Sequence, residues 1–206
     1  MRGDSIRSLI AREAARLMLA NGIRDFDMAK RKAAQKLGPI DRAAMPNNIE
    51  IEAEIADYQR LFRSDRQPQK LAFLRESAVQ AMQFLADFEP RLTGAVLSGT
   101  ADEHSFVELH LFADAPEEIA LFLAEHNIPY EHGDKRLRLG PDEVRAFPAY
   151  GFMAGDAPIE LIIMPYRALR RPPLSPVTGK AMARARINKV RRLLEDPAKP
   201  EPQLCR

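Results

Sequence analysis

Apolar residues recur every three or four positions through the first third of the chain, which is the spacing of amphipathic helices. This pattern predicts a first helix over residues 4–20 and a second that ends at Gly38. Asn47 is followed three residues later by Glu50, the spacing of a capping box, and predicts the start of a third helix. A three-helix unit is therefore expected at the N-terminus.

From about residue 93 the pattern changes to short apolar runs separated by small or polar residues, as in β-strands. Thr93–Leu97 predicts one strand and Phe106–Phe112 a second, with a turn of small residues between them. Alternation places Glu108 and His110 on one face of the second strand. Further on, 149–153 and 158–164 predict a hairpin with a glycine-containing turn.

The two patterns together predict an α+β protein: a small mixed sheet packed by helices, preceded by the helical unit and followed by a basic C-terminal helix over 181–194. A polar break at Ser64–Pro68 is the best candidate boundary. We predict a helical unit over 1–66, a sheet domain over 67–172 and a basic arm with a tail over 173–206.

Composition supports an ordinary folded protein, with 46% apolar and 29% charged residues among 206. The one cysteine, Cys205, excludes an internal disulfide and a cysteine-based metal site. No apolar run approaches the length of a membrane span, and the chain start is unlike a signal peptide. We therefore expect a cytoplasmic protein without a membrane partner.

Charge is unevenly distributed, because residues 167–192 contain nine basic residues and no acidic one. A segment of one sign attracts polyanions such as RNA. The candidate contacts to a nucleic acid or phosphate are Arg170, Arg171, Lys180 and Arg184. A docked helix with a charged outer face is the alternative interpretation.

Two carboxylates occur within otherwise apolar strands, Glu108 in the second strand and Glu160 in the run 158–164. An ionised glutamate among Ile and Leu is costly unless it faces water, a partner or a metal. Together with the turn Ser98-Gly99-Thr100, these residues indicate a candidate site.

This layout resembles the DNA-polymerase-beta-like nucleotidyltransferases. The matching pieces are Leu97–Thr100, His104–Phe112 and Glu160, and the resemblance covers Arg75–Tyr166. It implies that the protein transfers a nucleotidyl group from a nucleoside triphosphate to an acceptor. Magnesium would be the cofactor, and carboxylates would hold it.

The resemblance also implies roles for individual residues. Phosphates would contact the turn and the loop after it, through Ser98, Gly99, Thr100 and His104. Glu108 and Glu160 would bind magnesium, and His110 would complete the catalytic set.

The sequence departs from the family pattern at one carboxylate. If Ser105 is aligned with the family's usual serine, Phe106 replaces the first aspartate; if Glu108 is the first carboxylate, His110 replaces the second. Imidazole is a poor ligand for magnesium. The alternative function is therefore a catalytically degenerate protein that binds a nucleotide or nucleic acid.

The first two helices contain Ala14-Ala15-x-Leu17, then Gly22, then Ala29 to Leu37-Gly38. This pattern resembles the helix-turn-helix start of tetracycline-repressor-type regulators, so a helix-turn-helix DNA-binding regulator is a weaker alternative. The predicted third helix would then read the DNA. It carries Glu50, Glu52, Glu54 and Asp57, whereas base edges and phosphates are contacted by Arg, Lys, Asn or Gln. Its charge argues against this function.

Overall fold

The computed structural model of the protein describes residues 6–38, 44–62 and 67–195. The predicted helix start at residue 4, the break at 64–66 and Cys205 lie outside these residues. The chain forms two compact units, Met1–Gln67 with Pro176–Gly179 and Pro68–Ser175 with Lys180–Arg206. Among the described residues of the segment predicted to be a separate basic arm, 173–175 and 180–195 belong to the unit that contains the sheet, and 176–179 belong to the helical unit.

The first unit is built from three helices, α1 (Ile6–Asn21), α2 (Phe26–Leu37) and α3 (Asn48–Phe62). The predicted capping box is confirmed: the Glu50 amide donates to Asn47 Oδ1 at 2.9 Å, and the Asn47 amide donates to Glu50 Oε2 at 2.7 Å. Small and branched apolar residues fill the space between the helices, among them Ile10, Ala14, Ala29, Ala33 and Ile51.

The second unit contains a five-stranded mixed sheet of order β1-β2-β5-β4-β3. Its strands are β1 (Arg91–Thr93), β2 (Val107–Phe112), β3 (Glu131–Arg138), β4 (Val144–Ala154) and β5 (Ala157–Met164). The pair β2–β5 is parallel and the other neighbours are antiparallel. Its helices are α4 (Gln67–Phe84), α5 (Gly94–Ser98), α6 (Glu117–Glu125) and α7 (Ile187–Glu195). The predicted α+β class is confirmed.

The two faces of the sheet have different partners. One face carries the fully buried Val107, Leu109 and Leu111, which belong to the main core with residues from the helices. The opposite face carries Glu108, His110 and Phe112, as the alternation predicts. At the end of β2, Phe112 joins a second small core with Phe147, Leu137, Ile162 and Met164. Glu108 therefore lies on the face away from the main core.

The predicted strand at Thr93–Leu97 is wrong, because β1 ends at Thr93 and Gly94–Ser98 forms the short helix α5. Gly94 has φ +70°, a conformation that glycine adopts without strain, and it turns the chain from strand into helix. The second strand begins at Val107, so Phe106 lies just before it.

The C-terminal helix also begins later than predicted, at Ile187 and not at Ala181. The preceding residues are held in an extended conformation by β1, since Leu92 and Ala185 exchange two backbone hydrogen bonds of 2.9 Å. The predicted hairpin is confirmed as β4 and β5, which turn at Gly155 with φ +60°. Among the described residues, no helix has both the length and the apolarity needed to cross a bilayer.

Two leucines of this unit differ in burial and should therefore differ in their contribution to stability. Leu109 in β2 is fully buried, whereas Leu121 in α6 is 61% exposed. We expect Leu109→Ala to lower the free energy of unfolding by about 2–5 kcal/mol, because it leaves a cavity in the core. The control Leu121→Ala should change it by less than about 0.5 kcal/mol. Urea unfolding followed by circular dichroism measures both; equal effects would contradict this packing.

Candidate functional site

Glu108 and Glu160 come together in the sheet, although they are far apart in the sequence. They are register partners on the parallel strands β2 and β5, so their side chains emerge next to each other on the same face. Both are mostly buried, with 20% and 21% of their side chains exposed. Two ionised carboxylates on neighbouring strands repel each other, and a cation between them offsets this repulsion.

Lys135 supplies that cation from the edge strand β3. Its Nζ lies 2.6 Å from Glu160 Oε2 and 3.3 Å from Glu108 Oε2. The intervening strand β4 presents Ala149 and Gly151 on this face, opposite Ile162 and Glu160, so no large side chain blocks the path of the lysine. The three residues form what we call the Glu–Lys–Glu cluster.

The charge of Lys135 is fixed by its two partners. Burial by itself lowers the pKa of the ammonium, but the negative charges and hydrogen bonds of Glu108 and Glu160 outweigh it and raise that pKa above its ordinary value. Lys135 is therefore positively charged at neutral pH, and the cluster carries a net charge of about −1 when both carboxylates are ionised.

These residues do not fit the magnesium site that the family resemblance implies. Magnesium needs near-octahedral oxygen ligands, and an ammonium between the two carboxylates occupies the position of a metal and repels it. Across the described part of the chain, no group of three or more His, Cys, Asp or Glu side chains could hold a metal ion. The expectation that Glu108 and Glu160 hold magnesium therefore conflicts with the position of Lys135.

His110, the expected third member of the catalytic set, has a different partner. Its ring is fully buried, and its Nδ1 accepts a hydrogen bond of 2.9 Å from the Nε of Arg184. Because Nδ1 is the acceptor, Nε2 carries the proton of the neutral ring. Burial lowers the pKa of His110 to about 3, with further contributions from Arg184 and Lys135. His110 is neutral and positions an arginine.

Arg184 belongs to a basic cleft on the same sheet face. Its Nη1 donates to the Ala168 carbonyl at 2.8 Å, and burial, followed by the charge of Arg91, lowers its pKa to about 10, so it remains charged. The cleft is open to solvent and has a volume of about 730 Å³. Its lining consists of four arginines, one carboxylate and several apolar or aromatic residues: Arg91, Arg170, Arg184, Arg186, Glu89, Tyr166, Leu169, Pro172 and Met182. We call this the arginine cleft.

The charge of the arginine cleft is only partly balanced. Arg91 Nη2 contacts Glu89 Oε2 at 2.8 Å, and this hydrogen bond, with the charges of Arg91 and Arg186, lowers the pKa of Glu89 against the opposing effect of burial. One carboxylate thus faces four guanidinium groups. An anion of suitable size would relieve the remaining repulsion.

The predicted basic contacts divide into two groups. Arg170 and Arg184 line the cleft, whereas Arg171 and Lys180 are exposed and do not line it. Two further arginines line the cleft, Arg91 at the start of β1 and Arg186 before α7. Neither was predicted from the sequence as a contact to a phosphate. Only the pairing of Arg91 with His110 in the sheet register reveals the position of Arg91.

The predicted phosphate-binding turn lies at the C-terminal end of α5. The Gly99 amide donates to the Ala95 carbonyl at 2.9 Å, and the Ser98 and Thr100 hydroxyls lie 2.9 Å apart. A helix C-terminus carries partial negative charge, which disfavours phosphate. His104 is exposed in the next loop, where its amide donates to Asp102 Oδ1 at 3.0 Å.

The other end of α5 lies beside the Glu–Lys–Glu cluster and was not identified from the sequence. A Cβ added to Gly94 would lie 3.6 Å from Glu108 Oε1, so this glycine allows close approach of the carboxylate. Thr93 is fully buried and is the register partner of Glu108; its Oγ1 has no hydrogen-bond partner among the described residues. The signal in the sequence is the Thr93-Gly94 pair that ends a strand.

No protein-family model matches the sequence, and no curated protein is significantly similar to it.

The buried neutral state of His110 predicts a specific pH dependence of stability. In the unfolded chain the ring has a pKa near 6.5, whereas in the folded protein it is about 3. As the pH falls from about 6.5 towards 3, the unfolded state binds a proton at this ring and the folded state does not, so the folded state loses stability. The contribution is about 1.4 kcal/mol per pH unit.

We therefore expect the free energy of unfolding to fall less in His110→Asn than in the wild type when the pH is lowered from 6 to 4. The two losses should differ by about 2 kcal/mol. Asn still offers an oxygen to Arg184. Urea unfolding at several pH values measures the slopes, and His104→Asn controls for loss of an imidazole from the chain. Parallel slopes in wild type and His110→Asn would contradict a buried neutral ring.

Proposed function

We propose that the protein binds a phosphate-bearing nucleotide, free or within an RNA chain, in the arginine cleft and without a divalent metal. The observation that carries this proposal is the arginine cleft, whose lining contains four arginines and one carboxylate. Binding without a metal is supported by Lys135, whose Nζ lies 2.6 Å from Glu160 and 3.3 Å from Glu108. The two carboxylates already have a cation. In this proposal the chain is a degenerate nucleotidyltransferase-like protein that keeps ligand binding.

The arginine cleft has the chemistry that a phosphate requires. Guanidinium groups donate paired hydrogen bonds to phosphate oxygens, and Arg170 and Arg186 are exposed at the cleft. Arg184 is held in place by His110 and the Ala168 carbonyl, so its charge is pre-positioned. The volume of about 730 Å³ lies within the range of small-molecule sites.

The cleft also offers an aromatic ring for a base. Tyr166 is 43% exposed and lines the cleft beside Arg170. A base can stack on an exposed phenol ring or on the plane of a guanidinium group. One such ring favours a single nucleotide unit at the cleft over an extended row of stacked bases.

Metal-dependent nucleotidyl transfer is the second candidate, and the convergence of Glu108 and Glu160 beside Gly94 favours it. It would require Lys135 to leave the cluster before a metal could bind. The DNA-regulator hypothesis gains no comparable support, since Glu50 and Glu54 of α3 pair with Arg7 and Arg12 of α1. Binding without metal is therefore the better-supported function.

The proposal predicts that a fluorescent ATP analogue and a short fluorescent RNA bind equally well with magnesium or with EDTA, measured by anisotropy. We expect Arg170→Ala or Arg186→Ala to weaken binding about five- to tenfold, or about 1–1.4 kcal/mol. The matched control is Arg171→Ala, which removes the same charge next to the cleft and should weaken binding less than about twofold.

Two outcomes would contradict the proposal. One is binding that requires magnesium and is abolished by EDTA, which would support the transferase. The other is an equal loss of affinity for Arg170→Ala and Arg171→Ala, which would show a diffuse attraction to basic charge and not a defined cleft. The relative affinities of the two probes then identify whether the ligand is a free nucleotide or RNA.

A further inference from the structure

Among the described residues that line the arginine cleft, Glu89 is the one carboxylate, and it already pairs with an arginine. Its Oε2 accepts a hydrogen bond of 2.8 Å from Arg91 Nη2. Arg186 lines the same cleft, and its positive charge also acts on the Glu89 carboxylate. The place that an anionic ligand would take beside these two arginines is therefore filled by a group of the chain itself.

The two members of this pair differ in how firmly they are held. Arg91 is fixed, because 11% of its side chain is exposed and its Nη1 donates to the Glu89 and Pro90 carbonyls at 2.8 and 3.0 Å. These acceptors belong to the backbone, so they hold the guanidinium group whichever way the Glu89 side chain points. The Glu89 side chain is 53% exposed, so its carboxylate is weakly held and can turn towards solvent.

The backbone places Glu89 beside Arg91 at a cost. Glu89 follows the short 3₁₀ helix Ala86–Phe88 and has φ 50° and ψ 50°, the left-handed conformation that residues other than glycine rarely adopt. A glycine would make the same turn with less strain, but it would leave Arg91 Nη2 without this carboxylate. The strained residue thus supplies the cleft with a charge that the turn does not need.

A carboxylate and a phosphate make the same kind of contact with a guanidinium group, since each presents charged oxygens to its N–H donors. They differ in charge, because a carboxylate and an internal phosphodiester carry one negative charge and a terminal phosphate carries about two at neutral pH. Glu89 is tethered beside Arg91, so a ligand of equal charge competes at a disadvantage. A terminal phosphate has the additional charge that displacement requires.

We propose that Glu89 determines which anions the arginine cleft accepts: its carboxylate occupies the subsite at Arg91 in the free protein, and a terminal phosphate displaces it. This inference rests on the proposed function, because it requires a phosphate of the ligand to enter the cleft. It adds the class of ligand, which is a nucleotide with a terminal phosphate, either free or at the end of an RNA chain.

Glu89→Gln tests the displacement, because it keeps the shape of the side chain and removes its charge. We expect this variant to bind the fluorescent ATP analogue about fivefold more tightly than the wild type, measured by anisotropy in EDTA. Glu143→Gln is the matched control: Glu143 pairs with Arg145 at 3.0 Å, its side chain is 55% exposed, and it does not line the cleft. It should change the affinity less than about twofold. An equal gain in both variants is an effect of net charge and overturns the proposal.

A second comparison determines whether Glu89 acts through Arg91. Arg91→Met keeps most of the apolar stem but no longer holds Glu89 in the subsite, so adding Glu89→Gln to it should gain less than about twofold in affinity. The same fivefold gain in both backgrounds would show a general repulsion of anions and would overturn the proposal. If circular dichroism shows that Arg91→Met is unfolded, the comparison of Glu89→Gln with Glu143→Gln decides alone.

AMP and cyclic AMP test the class of ligand, since both have one base and one phosphorus atom but carry charges of about −2 and about −1. We expect AMP to displace the fluorescent analogue from the wild type at a concentration at least about fivefold lower than cyclic AMP does. Equal potency of the two competitors would overturn the requirement for a terminal phosphate.

The outcomes separate this inference from the function on which it rests. If the wild type binds the analogue and Arg170→Ala weakens binding, but Glu89→Gln binds no more tightly than the wild type, the inference alone is overturned. If neither the wild type nor Glu89→Gln binds the analogue, the proposed function is overturned and the inference with it.

Discussion

The charge pairing on the open sheet face depends on one constraint: the parallel register of β2 and β5 sets Glu108 directly beside Glu160. The backbone hydrogen bonds of a sheet fix this adjacency, so the two residues remain neighbours as long as the ladder is intact. A positive charge between two mostly buried, neighbouring carboxylates offsets their mutual repulsion. Lys135 supplies it across β4, where Gly151 opposes Glu160 and contributes no side chain.

On the same sheet face, the positively charged Arg91 lies two residues along β1 from Thr93, the register partner of Glu108. Arg91 is the register partner of His110 just as Thr93 is that of Glu108, so the acidic row and the basic row lie next to each other on the sheet. His110 separates them as a neutral ring, because its Nδ1 accepts from Arg184 and burial prevents protonation. Its neutrality leaves the charge of Arg184 available to a ligand in the arginine cleft.

Period-two alternation and single carboxylates in apolar runs are local signals, and they sufficed to predict the α+β class and to single out Glu108 and Glu160. That these two residues belong to one site was implied by the family resemblance. The sequence did not reveal Lys135, because its strand β3 is mostly exposed and has the pattern of a charged surface segment. The role of Lys135 arises from pairing between strands that are distant in the chain. The three-residue strand β1 was too short to recognise. Its end at Gly94 depends on a positive φ that only the backbone shows.

The later start of α7 has a similar origin. Residues 181–186 include good helix formers, yet Ala185 pairs with Leu92 at the edge of the sheet, and tertiary hydrogen bonds outweigh local propensity there. In this extended segment Arg184 and Arg186 point to the same side and both line the arginine cleft. In a helix over 181–194 these two side chains would point in different directions around the helix axis. The pairing that contradicts the helix prediction is thus what builds the basic wall of the cleft.

A tethered ammonium and a metal ion differ in what controls them. A metal site is filled according to the free metal concentration, whereas Lys135 is present at fixed stoichiometry in every molecule and is held by two carboxylates. A lysine can neutralise this pair but cannot polarise a phosphate or orient an attacking hydroxyl as a divalent ion does. In the proposed function the cluster is therefore neutralised without a metal, and recognition of a ligand would fall to the arginines of the cleft.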